Sequence, residues 1–161
     1  LASFSTAVFP GPAAPPSRAD GLVDAGAPLS ISDVDHPAIA GLDPVLRDAV
    51  ARAEVEATRD GIRFDITSGW RSSEYQRWLL EDAIATYGDE QMARELVATP
   101  ELSRHVTGEA VDVGSLDAQL WIIEHGRRWG LCQTYANERW HFERATNDDG
   151  VCPEPKLDAR G

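Results

Sequence analysis

Apolar and polar positions alternate with two different periods along this chain, and each change of period marks an element. Beginning at Asp43-Pro44, Leu46, Val50, Ala53 and Ala57 follow at helical spacing until Gly61. An aspartate cap, a proline in the first position and a one-sided apolar stripe predict a helix. The period then falls to two. In IRFDITSGW, Ile62, Phe64 and Ile66 lie on one side and Arg63, Asp65 and Thr67 on the other, the pattern of a half-buried strand that ends at Gly69. Helical spacing returns after Ser72 and Ser73, either of which can cap a helix carrying Trp78, Leu79, Ala83 and Ile84 on its apolar face.

A shorter helix is predicted in DEQMARELVATPEL, stopping before Pro100 because the residue ahead of a proline avoids helical dihedrals. EAVDVG reads as a strand in which Ala110 and Asp112 share one face and Glu109 points to the other. Asp112 then reaches a site only if that face borders a cleft. LDAQLWIIEHGRRWG is expected to form a helix covered along Leu116, Leu120, Ile123 and the Arg127 stem, closed by Gly130. LCQTY and WHFE complete the set as short strands. The fold class that follows is α+β, a small, mostly antiparallel sheet with helices packed on it.

Residues 1–30 obey neither period. They hold Pro10, Pro12, Pro15, Pro16 and Pro28 among many Ala and Gly residues, and are expected to be a leader, extended or laid over a domain that occupies residues 31–161. Such a leader can be a spacer from a wall or membrane attachment point, or tolerated slack. The chain begins at Leu1, with no initiator Met, which is expected of a cut product.

Composition narrows the classes. With 161 residues, 42% apolar and 26% charged, the chain is one soluble domain's worth, and a monomer is expected. A net charge of -12 opposes a phosphate backbone, so nucleic acid is not an expected partner. No uncharged apolar run reaches the length of a membrane span. Cys132 and Cys152 are the only cysteines. A bridge between them would add roughly 3 kcal/mol and place the protein outside the cytosol; two buried thiols are the alternative.

His105, Asp112 and His141 offer two imidazoles and a carboxylate, a ligand set that zinc accepts while keeping one position for water. Spacing alone leaves open a surface histidine beside a solvated aspartate. Glu138, three residues before His141, would lie on the opposite face of a flat strand, so a bend or bulge near Arg139 is needed before both face one cleft. A carboxylate there can take a proton from an activated water. Arg71, at the end of SGWR, can lean over a cleft and stabilise an oxyanion, or be an ordinary solvated arginine. Trp70 and Trp140, beside Arg71 and His141, can wall a pocket or simply pack in the core. His36 is a reserve ligand in a loop, and His125 suits a helix C-terminus. Serine-hydrolase elbow, phosphate-binding loop, dinucleotide fingerprint and H-E-x-x-H are all missing.

The residues resemble the zinc D-alanyl-D-alanine carboxypeptidases and dipeptidases, including those of glycopeptide-resistant bacteria and the Streptomyces zinc carboxypeptidase. The family pattern Ser-x-His-x-x-Gly-x-Ala-x-Asp is met by Ser103, His105, Gly108, Ala110 and Asp112, and Glu-x-Trp-His by Glu138, Trp140 and His141. A Gly-Tyr-Arg-Ser-like turn is present as Gly69, Trp70, Arg71 and Ser72, with Trp70 in place of the usual Tyr. The resemblance spans roughly residues 36–143 and implies one zinc ion on His105, Asp112 and His141, in a cleft at the sheet. It further implies Glu138 as general base, Arg71 steadying the carbonyl oxygen, and Ser103, Gln76, Trp70 and Trp140 as residues that meet substrate. The implied activity is hydrolysis of the terminal D-Ala amide of peptidoglycan stem peptides by a secreted or wall-associated protein. An endopeptidase or a D,D-dipeptidase with the same site are the alternatives, as is a non-catalytic zinc-stabilised binding module, since the fold is also similar to that of a signalling domain.

Overall fold

A computed structural model describes residues 11–161, and the first ten residues of the expected leader lie outside that range. In chain order the elements are α1 (Pro37–Ala40), α2 (Pro44–Arg59), β1 (Asp65–Ser68), α3 (Ser73–Tyr87), α4 (Glu90–Leu96), β2 (Ala110–Gly114), α5 (Leu116–His125), β3 (Leu131–Gln133) and β4 (His141–Arg144). Asp43 caps α2 by accepting from Val45 N and Leu46 N, and Ser72 caps α3 by accepting from Tyr75 N. Both starts are those the sequence pattern marks.

The four strands form one antiparallel sheet in the order β1-β2-β4-β3. One face is the core. Ile66, Val111, Val113 and Phe142 point into it and meet Leu46, Val50 and Ala53 of α2 and Ala118, Trp121 and Ile122 of α5. The opposite face carries Asp112 and His141, which sit directly across from each other on β2 and β4. It borders a cavity whose far wall comes from α3 and the end of α4.

The covered side of α5 differs from the expected one. Leu116, Leu120 and Ile123 are 53%, 49% and 46% exposed, and Arg127 is exposed too, whereas Ala118, Trp121 and Ile122 are buried. Trp121 sets this phase: its ring lies 5.9 Å from both Phe64 and Trp129, and its Nε1 donates to Asp60 Oδ2 at 2.8 Å. A buried indole with a satisfied N–H removes more apolar area from water than one leucine does, so the helix turns toward it.

Residues 11–36 lie on the domain. Ala13 N donates to Glu81 Oε2, and Ser72 Oγ to Asp20 Oδ1. Leu29 bridges Ile66 on the outer edge of β1, and Ile31 is buried in the core. At the other end Cys132 and Cys152 form a disulfide.

Candidate metal centre and active site

Asp112 occupies the middle of the sheet, with Ser68 opposite on β1 and His141 opposite on β4. Regular alternation would turn Ser68 the same way as Ile66, into the core. A register shift between Ile66 and Ser68 intervenes, so that Ile66 pairs with Val113 but Ser68 pairs with Asp112. One extra residue therefore moves Ser68 to the cavity side. His105 arrives from the turn before β2. Its position depends on Gly108, whose φ is +77° and at which a Cβ would stand 2.3 Å from Gly41 O. Only glycine lets this turn press against the link between α1 and α2, where Asp43 N donates to Gly108 O at 2.9 Å.

Both rings are oriented through the nitrogen that faces away from the cluster. His105 Nδ1 lies 2.8 Å from Gly69 O, which fixes it as the donor, and His141 Nε2 lies 2.8 Å from Glu143 Oε1. The remaining nitrogens, His105 Nε2 and His141 Nδ1, are 3.2 Å apart. Asp112 Oδ1 lies 3.2 Å from the first and 3.3 Å from the second, yet it is a buried oxygen that accepts no well-aligned hydrogen bond. Three donor atoms thus form a nearly equilateral triangle. Metal–ligand bonds of about 2.0–2.1 Å in a tetrahedron place neighbouring ligands about 3.3–3.4 Å apart, so the residues present fit zinc with one position left over.

Electrostatics agree with a cation site. Burial favours the neutral acid at Asp112, but His105, His141 and the Arg71 guanidinium together hold its carboxyl well below the usual carboxylate range. Burial and the neighbouring Arg71 charge lower the His105 pKa, keeping that ring neutral as a ligand requires. Burial opposes a positive His141, yet the Asp112 and Glu143 carboxylates outweigh it and push that ring up to about 9. Where no metal sits, a proton supplies the positive charge.

Glu138 reaches the same cavity by a turn rather than a bulge: His141 N donates to Glu138 O at 3.2 Å just before β4 begins. The bend expected near Arg139 is therefore present, and Glu138 Oε2 stands 3.5 Å from His141 Nδ1. Burial pushes its carboxyl up to about 7, aided by Asp112 and Glu143 and opposed by His141 and Arg71. Arg71 donates from Nε to Ser68 Oγ, from Nη1 to Gln76 Oε1 and from Nη2 to Asp112 Oδ2, at 2.8, 3.0 and 3.0 Å. Each terminal nitrogen keeps one further N–H. Gln76 is 2% exposed and also donates to Ala98 O, so its amide fixes Arg71 against α3.

The cavity has a volume of about 180 Å³ and is walled by Arg71, Gln76, Ser103, Glu138 and Trp140 among others. Trp70 is not part of that wall; its ring covers Gly41. His36 is also elsewhere, with Nδ1 accepting from Ala38 N as the cap of α1, and the His125 ring lies 4.8 Å from Trp121. Sequence reasoning passed over Glu143, although strand alternation places it on the face of His141, and Tyr135, whose ring lies 5.0 Å from that of His141. No local signal pointed to Tyr135.

Comparison with known proteins gives the same direction. A curated D-alanyl-D-alanine carboxypeptidase of Enterococcus faecalis (strain ATCC 700802 / V583) is 26% identical over 148 residues, covering 72% of this chain and 54% of that protein. The chain thus spans about half the length of the curated relative it matches. Among solved structures, a point mutant of the vancomycin-resistance D,D-pentapeptidase VanY from a VanB-type cassette, in complex with Zn(II), superposes with a TM-score of 0.59 at 24% identity, covering 63% of this chain and 71% of that one. The L,D-carboxypeptidase DacB from Streptococcus pneumoniae is 26% identical with a TM-score of 0.52, covering 72% and 70%. Residues 40–145, the span from the end of α1 to just past β4 that holds His105, Asp112, His141 and Glu138, match the family described as VanY: D-alanyl-D-alanine carboxypeptidase, and to that family the chain belongs.

Proposed function

We propose that the protein is a zinc-dependent D,D-carboxypeptidase that hydrolyses the amide before the terminal D-alanine of peptidoglycan stem peptides. The observation that carries this reading is the triangle of His105 Nε2, His141 Nδ1 and Asp112 Oδ1, with sides of 3.2 to 3.3 Å, beside a carboxylate that is not part of it. A bound zinc ion would supply Lewis acidity, lowering the pKa of water toward neutrality and polarising a carbonyl. Glu138, half-buried and close to His141, accepts the proton from the attacking water and returns it to the leaving amine. The N–H groups that Arg71 keeps beyond its three bonds are donors for the developing oxyanion or for a terminal carboxylate, a contribution of about 2–4 kcal/mol by comparison with removing one oxyanion donor. Ser103 and Trp140, both in the cavity wall, meet the peptide.

The Cys132–Cys152 disulfide supports a location outside the reducing cytosol, and among the described residues no helix is long and apolar enough to cross a membrane. A catalytic role is favoured over a zinc-stabilised binding module because Glu138 and Arg71 both line the cavity.

A second reading, L,D-carboxypeptidase, is favoured by the likeness to DacB. The test is a zinc-loaded assay on a stem tripeptide ending in D-Ala-D-Ala and on the corresponding peptide ending in a single D-Ala, with products identified by chirality. Release of one D-alanine from the first peptide, lost on chelation and restored by zinc, is expected. Release from the second alone would replace the reading by the L,D activity, release of the intact dipeptide would replace it by an endopeptidase, and release from neither would overturn it.

A further inference from the structure

The family match ends at residue 145, yet Ala159 stands in the wall of the catalytic cavity. From the disulfide at Cys152 the chain runs back along the sheet edge: Lys156 N donates to Thr134 O at 2.9 Å, and Lys156 O accepts from Ala136 N at 2.7 Å. This lays the segment parallel to Tyr135. Further on, Ala159 N donates to Glu95 O at 3.3 Å and Arg160 Nη1 pairs with Glu95 Oε1 at 3.2 Å. The same Glu95 carbonyl accepts from Asn137 Nδ2 at 3.0 Å. Glu95, in the last turn of α4, thus joins this segment to the loop that ends in Glu138.

Ala159 is 3% exposed and borders three depressions. One is the catalytic cavity of about 180 Å³. A second, of about 450 Å³, is lined by Ser103, Tyr135 and Lys156, and a third, of about 260 Å³, by Gln91, Thr99 and Arg160. The residue therefore lies between the catalytic cavity and two larger depressions. The same wall holds Leu79, Leu96, Val97 and Ala98, so the cavity has an apolar stretch of lining to which the Ala159 methyl adds.

We propose that residues 152–161 form a substrate-restricting wall of the catalytic cavity, and that Ala159 sets the size of side chain this cavity accepts alongside Glu138 and Arg71. Ala159 would act on the choice between a methyl-sized and a larger side chain at the cleaved bond. This inference rests on the peptidase reading above.

The experiment compares zinc-loaded wild type, Ala159→Gly and Ala159→Leu on two stem peptides that differ only in the terminal residue, D-alanine or D-leucine. Ala159→Gly is expected to raise kcat/KM for the D-leucine peptide relative to the D-alanine peptide by about ten-fold, the scale on which small apolar groups are discriminated. Ala159→Leu is expected to raise KM for the D-alanine peptide by about ten-fold, with a much smaller change in kcat. An unchanged selectivity ratio in the glycine variant, or a loss in the leucine variant that falls on kcat with KM unmoved, would overturn the proposal. Should Ala159→Leu show no cooperative unfolding, Ala159→Val takes its place with the same readout. Wild type that cleaves neither peptide would refute the peptidase reading instead. Calorimetric binding of D-Ala-D-Ala and D-Ala-D-Leu then decides the present point, because the glycine variant must narrow the gap between their Kd values, and an unchanged gap counts against the wall.

Discussion

Glu138 is held in an environment that costs the metal-free protein stability. Burial raises its pKa from an ordinary 4.5 to about 7, with Asp112 and Glu143 adding to the effect and His141 and Arg71 opposing it. The folded state therefore binds this proton more tightly than the unfolded state does. Stability from the neutral carboxyl is fully present below 4.5 and is lost as pH rises through about 7. Glu138→Gln removes the ionisation, so in the metal-free protein at pH 8 it should raise Tm by about 3 °C or more, roughly what 1 kcal/mol gives in a domain of this size. The zinc-loaded variant should keep its metal and lose most turnover, by about two to four orders of magnitude for a general base. Elemental analysis and the D-alanine assay check both; near-normal hydrolysis by the loaded variant would remove Glu138 from the role of base.

At the scale of elements, the site depends on two departures from regularity, the register shift after Ile66 and the close turn at Gly108. Gly108→Ala puts a Cβ 2.3 Å from a backbone oxygen at φ +77°, and neither party can yield as a flexible side chain would. The expected result is a loss of about 1–3 kcal/mol from the strained backbone, together with weaker zinc binding because His105 moves with the turn. A melt and a metal titration on the same sample test this, and unchanged zinc affinity would separate the turn from the site. These elements also show what a sequence can carry. The cap at Asp43, the stripe of α2 and the face shared by Ala110 and Asp112 are local patterns, and all three are present. The phase of α5 was not legible, because Trp121 chooses its side through Phe64, Trp129 and Asp60, none of which its own periodicity contains. Ser68 was hidden for a similar reason, since one inserted residue reverses its face. The metal set was legible only through a pattern that joins residues 105, 112 and 141 across long separations; Glu143 was within reach of simple alternation from His141.

For the whole molecule, chain on both sides of the family span completes the sheet that the span builds. Leu29 bridges Ile66 on the outer edge of β1 and Lys156 bridges Tyr135 just past β3, so neighbouring chain meets each margin of the sheet at one isolated bridge. The first of these contacts is reinforced by Ile31 in the core. The second hangs on the disulfide, which closes a loop across a sequence separation of 20 and joins β3 to the segment that returns past Tyr135 to Glu95. Without that bond the unfolded chain regains the freedom of the loop, a difference of about 3 kcal/mol for a loop of this length. The Cys132→Ser, Cys152→Ser double variant should therefore unfold about 6–12 °C lower at constant pH in the absence of zinc. Amide exchange should quicken first at Ala136, Lys156 and Ala159, whose N–H groups tie the returning segment to the stretch after β3 and to Glu95 of α4. The β2–β4 ladder carries Asp112 and His141 in the interior of the sheet, so its exchange should follow global unfolding. A variant that melts as the wild type does, with protection unchanged at Lys156 and Ala159, would show that the segment holds its place without the disulfide.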